Sequence, residues 1–152
     1  MRTVDAVRVL TLVLCVAACT VEAPKKEETP SIAVGMRKQS PDGAMTTELL
    51  ALDPLPPLQG PNRWTVEVRT SEGDPVVDLT DGDAEVIANI YMAEHDHNLR
   101  KRATMTEPGI FEIPEFLITM NGYWEVTVVV HQDGDANEDA DVPMTFGFVI
   151  EN

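Results

Sequence analysis

Four segments of the chain alternate apolar and polar residues with a period of two, and this pattern constrains the fold more than any other feature. The segments are 63–70, 85–92, 123–131 and 144–150, with Gly, Pro, Asp and Asn between them. Because side chains alternate between the two faces of a β-strand, each segment predicts a strand with one buried face. Weaker candidate strands are 44–52, 109–113 and 116–120. The sequence therefore predicts an all-β antiparallel sandwich or barrel of about seven strands.

The alternation also predicts which side chains face the core. The inward residues would be Trp64, Val66 and Val68; Val86, Ala88, Ile90 and Met92; Trp124, Val126, Val128 and Val130; and Met144, Phe146, Phe148 and Ile150. No segment after the N-terminus carries a sustained helical stripe bounded by caps. We therefore expect no helix in the domain.

The N-terminus has the composition of an export signal. Arg2 and Arg8 precede an apolar run over 9–18, which is about half the ~20 residues that a membrane-spanning helix needs. Small residues lead directly into Cys19, and this junction resembles the lipobox of bacterial lipoproteins, in which the cysteine is lipidated. Cys15, preceded by a bulky leucine, fits that junction less well. The alternative is an ordinary signal peptide that is cut nearby.

These features predict the domain organisation and the location of the protein. We expect a signal peptide over 1–18, a lipidated cysteine and flexible tether over 19–31, and a β-sandwich domain over 32–152. The tether is rich in Pro, Lys, Glu and Thr and has no apolar periodicity. The protein would be exported and lipid-anchored in the cell envelope, at the periplasmic face or the cell surface.

The charge of the chain disfavours one class of partner. The formal net charge is −15 at pH 7, and no basic stripe alternates with aromatic residues. Nucleic acid would be repelled, so we expect no nucleic-acid partner. The sequence also lacks a Gly-x-Ser-x-Gly elbow and a phosphate-binding glycine loop. We therefore expect the protein not to be an enzyme.

The order of motifs between Leu49 and Ile150 resembles the YtkA-like family, and more distantly the related FixH-like domains. The matching stretches are Gly60–Trp64, Met92–His97, Pro108–Phe111 and Met120–Val126. The resemblance implies an extracytoplasmic β-sandwich of immunoglobulin-like topology. It also implies a copper or other soft-to-borderline metal role for the second stretch, which in the family typically reads Met-Pro-x-His-Gly-His-Gly.

Met92, His95 and His97 are the candidate metal ligands. A thioether favours Cu(I), while two imidazoles one residue apart accept Cu(II) or Zn(II). This chain departs from the family pattern, because Ala93 replaces the proline and Asp96 replaces the first glycine. Asn98 replaces the second glycine, and the basic run over 100–102 disfavours a cation. In the alternative interpretation, Met92 is a core residue and both histidines are solvated.

A second group of oxygen-bearing side chains lies between the last two predicted strands. Its members are Asp133, Asp135, Asn137 and Asp139, whose alternate spacing is typical of calcium loops. The EF-hand pattern fails, because Glu138 stands at the position of the glycine and Met144 at that of the bidentate glutamate. An acidic, solvated hairpin loop is the simpler interpretation.

The sequence therefore predicts a lipid-anchored binding domain of the cell envelope, with copper handled through Met92, His95 and His97. Copper is the only cofactor expected, and the partners would be the membrane, through the lipid anchor, and possible proteins of the envelope. The alternative is a metal-free structural or interaction module that docks on another envelope protein.

Overall fold

The computed structural model describes residues 31–76, 84–132 and 141–151, and these form two antiparallel sheets packed face to face. The strands are β1 (Arg37–Gln39), β2 (Met45–Asp53), β3 (Gly60–Thr70), β4 (Ala84–Met92), β5 (His97–Arg102), β6 (Thr104–Glu107), β7 (Ile110–Ile118), β8 (Gly122–Gln132) and β9 (Val142–Ile150). One turn of 3₁₀ helix, Ala93–His95, joins β4 to β5. The prediction of an all-β fold is confirmed.

The order of strands gives the sandwich its topology. One sheet has the order β1-β2-β3-β7-β6 and the other β5-β4-β8-β9. Apart from the three-residue β1, the first sheet has the A-B-E-D order of immunoglobulin-like domains, and the second contains their C-F-G order. In this part of the chain no helix has both the length and the apolar character that crossing a bilayer requires.

All four strongly alternating segments are strands, and their predicted inward residues are buried. The described residues contain nine strands, where about seven were predicted. The three that the sequence did not reveal are β1, β5 and β6, which all lie at sheet edges. An edge strand that is exposed on both faces has no need of alternating apolar residues. Every residue of β1, for example, is exposed.

Strand β7 was predicted as two strands, over 109–113 and 116–120, and is one. Its pairing with β3 shifts register between Asn62 and Trp64, so Pro114 and Glu115 both lie opposite Arg63. This bulge moves the inward face from odd to even positions, and Phe111, Ile113, Phe116 and Ile118 are all buried. The break in alternation marks a bulge inside a strand rather than a turn between strands.

Aromatic side chains from both sheets form the centre of the core. The rings of Trp64 and Phe116 meet edge to face, with centroids 5.7 Å apart, and Phe148 of the opposite sheet lies 5.5 Å from Trp64. All three are at most 1% exposed. Pairs in this geometry stabilise a core beyond the area that they bury. The apolar interior fixes how the two sheets face each other.

Three connections meet at one end of the sandwich, which we call the proximal end. They are residues 54–59, 93–96 and 119–121. The pairs Gly60–Ile118 and Gly122–Ile150 close the ladders there, and Gln59 Nε2 donates a hydrogen bond to Asn121 Oδ1 at 2.6 Å. Ser31, the first described residue, lines a groove with Leu58 and Glu151 at this end. The chain therefore enters the sandwich at its proximal end.

Candidate functional site

Met92 ends β4 at the proximal end and lies on the inner face of its sheet. It continues the inward row of Val86, Ala88 and Ile90, and its side chain is fully buried. The interpretation of Met92 as a core residue is therefore correct as far as burial is concerned. Met92 is nevertheless the last residue of this row and lies at the proximal end of the sandwich. Its thioether is therefore placed to act as a ligand at that end.

His97 lies directly opposite Met92. It is the first residue of β5, and the two are register partners in the β4–β5 ladder. Opposed residues of an antiparallel pair project from the same face of the sheet, so the imidazole lies on the same side as the thioether. His97 lies in a strand and not in a loop, as the alternative interpretation had it. Its side chain is exposed to solvent, as that interpretation predicted.

Trp124 completes this arrangement from the other side of Met92. The β4–β8 ladder pairs Tyr91 with Glu125, so Trp124 lies level with Met92. The ring centroids of His97 and Trp124 are 6.3 Å apart, with an angle of 34° between the planes. The indole Nε1 donates a hydrogen bond to the carbonyl of Met120 at 3.1 Å, which fixes the ring. Met92 therefore has His97 on the strand to one side and Trp124 on the strand to the other.

Gly122 and Glu94 form the outer boundary of the site. A Cβ atom built on Gly122 would lie 2.6 Å from Met92 Cε and 3.3 Å from Glu94 Oε2. The thioether methyl and the carboxylate thus both contact the space that a side chain would fill. The glycine also has φ +128°, which is unfavourable for other residues. Because Gly122 has no side chain, the methyl group of Met92 can occupy this space at the proximal end.

His95 is exposed at the end of the 3₁₀ turn, and it belongs to the connection between the two strands rather than to the inner face. Asp96 follows it with φ 50° and ψ 32°, the left-handed conformation. Asp tolerates this region better than most residues, so the replacement of glycine leaves the turn intact. The structure brings Met92 and His97 onto one face and leaves His95 in the loop between them.

The basic run after His97 is arranged differently from our expectation. Alternation along β5 places Arg100 and Arg102 on the outer face, opposite to His97. There they form ion pairs with Glu85, at 3.5 Å in the case of Arg100. Lys101 alone of the three shares the face of His97. Repulsion of a cation by this run is therefore weaker than the sequence indicates.

The donor set fits a soft cation better than a hard one. Within residues 31–76, 84–132 and 141–151, no three His, Cys, Asp or Glu side chains are grouped as metal ligands. A four-ligand zinc site of the structural type is therefore not built there. A thioether, an imidazole and an aromatic face are groups that suit Cu(I). Trp124 was predicted only as a core residue, because its position beside Met92 depends on strand register.

Two other predicted sites lie outside the described residues. Cys19, the predicted lipidation site, precedes Ser31, and the predicted calcium-loop residues Asp133, Asp135, Asn137 and Asp139 fall between β8 and β9. Asp141, which is described, contacts His131 with 2.5 Å between its Oδ1 and the ring Nδ1. His131 lies at the far end of β8 from Trp124. It is therefore not part of the candidate site formed by Met92 and His97.

Comparison with known proteins gives one finding. No curated protein and no solved structure shows significant similarity to the chain. One family model, described as YtkA-like, matches residues 44–129. The match begins just before β2 and ends within β8, and it includes Met92, His95, His97 and Trp124. Because the match spans more than half of the sequence, the chain belongs to the YtkA-like family.

Proposed function

We propose that this protein is a lipid-anchored domain of the cell envelope that binds copper through Met92 and His97, with His95 as a further ligand. The observation that carries the proposal is the opposition of Met92 and His97 on β4 and β5. The thioether is a soft donor and the imidazole a borderline one, and both project from the same face of the sheet at the proximal end. This arrangement favours Cu(I), the oxidation state that thioethers prefer.

Trp124 supports the same oxidation state. Its ring lies beside that of His97, and an indole face attracts a cation at distances near ~6 Å. A monovalent ion held by one thioether and one or two imidazoles needs little further coordination. Because His97 is exposed and Met92 is covered, the ion would contact the imidazole first. The flexible methionine side chain then turns its sulfur towards it.

Competition titration with Cu(I) tests the proposal. We expect His95→Ala/His97→Ala and Met92→Leu each to weaken Cu(I) binding at least about tenfold, since each removes a ligand worth more than ~1.4 kcal/mol. Met92→Leu keeps the volume of the buried side chain and therefore the fold. The matched controls are His131→Ala and Met105→Leu, which remove the same donor types elsewhere.

Equal Cu(I) affinity in wild type and in both site variants would exclude the site. The metal-free interaction module would then be the better description of the protein. Loss of affinity in the control variants as well would mean that imidazole and thioether groups elsewhere also bind Cu(I), so that Met92 and His97 do not form a specific site. Trp124 fluorescence gives a second readout, because a bound copper ion beside the indole would quench it.

Cys19→Ser tests the anchor separately. Acylation provides about 0.8 kcal/mol of membrane affinity for each buried methylene, and we expect the variant to lose both the lipid and its sedimentation with membranes. Incorporation of a fatty-acid analogue by cells measures this directly. Cys15→Ser is the control, which we expect to be labelled like wild type. Unchanged labelling of Cys19→Ser would contradict the proposed anchor.

A further inference from the structure

The exposed large apolar side chains of the sandwich are concentrated towards its proximal end. Among the residues that the structure describes, four large hydrophobic side chains are exposed: Val34, Leu55, Leu58 and Leu117. Two of them belong to the connection 54–59, and Leu117 pairs with Pro61 at the end of β7. Each of the three leucines is at least half exposed. We call these three leucines the leucine rim.

The chain enters the sandwich beside this rim. Ser31 and Ile32 line the same groove as Pro57 and Leu58. Eleven residues lie between Cys19 and Ser31, and the fully extended chain between the two reaches about 40 Å. The longest strands, of 11 residues, span roughly 36 Å. Tether length alone would therefore let either end of the sandwich approach the membrane, and another property must select the end.

The proposal concerns this selection, and it rests on the lipid anchor proposed above. We infer that the leucine rim docks on the lipid bilayer that holds the anchor, so that the proximal end and its Met92–His97 site face the membrane surface. A few half-exposed leucines bind a bilayer weakly by themselves. A tether that keeps them at high local concentration converts weak affinity into stable docking, since two signals act together.

Charge decides which bilayer surface suits the rim. Exposed acidic residues at this end outnumber the exposed Arg63, which lies opposite Asp53. The acidic residues are Asp53, Glu94, Asp96, Glu115 and Glu151. An anionic lipid surface would repel this end. In the docked state the acidic residues would lie within one Debye length of the lipid head groups, so salt would screen the repulsion little. The proposed ligand is therefore the interface of a zwitterionic bilayer. A docked domain would present its copper site to acceptors or donors embedded in the same membrane.

Paramagnetic relaxation in nuclear magnetic resonance tests the proposal on the chain from Cys19, which contains every described residue. Cys19, the single cysteine of that chain, is coupled to a maleimide lipid in phosphatidylcholine nanodiscs. The nanodiscs also contain a lipid that chelates gadolinium, which broadens the signals of nearby protons. Amide and methyl signals of the leucine rim and of His95 should then be lost. Signals of the turn 71–73, at the opposite end, should remain. Because the anchor is made chemically, the result does not depend on acylation of Cys19 in cells.

A triple variant and a change of lipid sharpen the result. Leu55→Ser/Leu58→Ser/Leu117→Ser should restore the proximal signals while the protein stays attached to the disc. Pro41→Ser/Glu72→Ser/Pro108→Ser, at exposed positions of the opposite end, should leave the loss unchanged. Addition of phosphatidylglycerol should also restore the proximal signals. Thermal unfolding of each variant would show that its fold is retained.

Three outcomes would overturn the proposal. Retained rim signals in the anchored protein would mean that the leucines do not meet lipid and are a surface for a protein partner. Preferential loss at 71–73 would mean that the opposite end docks. Equal loss at the rim in wild type and in the triple serine variant would mean that the leucines are not the cause. None of these outcomes bears on copper affinity, which is measured without lipid.

Discussion

At the scale of single residues, Gly122 leaves the space that the Met92 side chain occupies at the proximal end. Its φ of +128° disfavours other residues, and a Cβ atom at this position would lie only 2.6 Å from Met92 Cε. A side chain at this position would therefore strain the backbone and also displace the methyl group of Met92. Gly60 offers a matched comparison, because its φ is +112° and no atom lies within 4 Å of the same position. The two glycines thus separate backbone strain from contact with the thioether.

We expect Gly122→Ala to destabilise the domain by about 1–3 kcal/mol through backbone strain, with a further cost from displacement of Met92. Gly60→Ala should show the strain alone. Denaturant unfolding measures both changes, and Cu(I) titration should show weaker binding only for Gly122→Ala. Equal losses of stability and equal Cu(I) affinities in the two variants would contradict the assigned contact.

At the scale of elements, one buried side chain holds the connection 54–59 in place. Asn62 is 1% exposed, and its Nδ2 donates hydrogen bonds to the carbonyl oxygens of Leu58 and Gly60, at 2.8 and 3.0 Å. Its Oδ1 accepts a longer bond, of 3.4 Å, from the Leu58 amide. These bonds satisfy the backbone of a connection that has no ladder partner. Asn62 thereby positions one member of the leucine rim.

Asn62→Ala should cost about 1–3 kcal/mol of unfolding free energy, because the carbonyl groups of Leu58 and Gly60 lose the donor that the buried amide supplies. We expect faster amide hydrogen exchange over 54–59 than in wild type and unchanged exchange in β8. Hydrogen exchange followed by mass spectrometry measures both regions in one experiment. Uniformly faster exchange in both would show that the asparagine stabilises the whole sandwich rather than this connection.

The strands that could be predicted from sequence are those with one face in the core. Trp64, Trp124 and Phe148 each lie in a row of alternating residues, and burial of one face imposes that alternation. The edge strand β9 buries one face and alternates, whereas the edge strand β5 has no buried residue and is a run of mostly polar and basic residues. The motif Met92–His97 was visible as a spacing. Its neighbour Trp124 was not, since 32 positions of chain separate it from Met92 and only the ladder register brings the two together.

At the scale of the whole molecule, two carboxylates at the end opposite to the proximal end link stability to pH. The Ser40 hydroxyl and the Ala44 amide donate to Asp42, at 2.6 and 3.0 Å, and lower the pKa of its carboxyl group. A hydrogen bond from Arg69, at 2.5 Å, is the main reason that the pKa of Glu67 is also below its usual value. Both groups bind protons more weakly in the folded than in the unfolded state.

Stability that comes from these groups is present above their unfolded pKa values, near ~4, and is lost as the pH falls through the lower folded values. The net charge of −15 acts in the opposite direction, because protonation relieves repulsion between carboxylates. Comparison of variants isolates the two groups. We expect Glu67→Gln and Asp42→Asn each to lose less stability than wild type between about pH 5 and pH 2. Urea unfolding at several pH values measures this, and parallel curves for all three proteins would contradict the assignment.

Strand β1 determines how the sandwich responds to a pull on its N-terminus. It has only three residue pairs with β2, all at the sheet edge, and every one of its residues is exposed. A force applied through residue 31 first reaches Ile32, whose buried side chain belongs to the core, and only then β1. Once Ile32 leaves the core, the strand would peel away while β2 to β9 keep their ladders, which frees residues 31–44 to extend to at most roughly 48 Å. With the proposed anchor, this N-terminal segment would let the domain move away from its membrane attachment while the remaining strands stay folded.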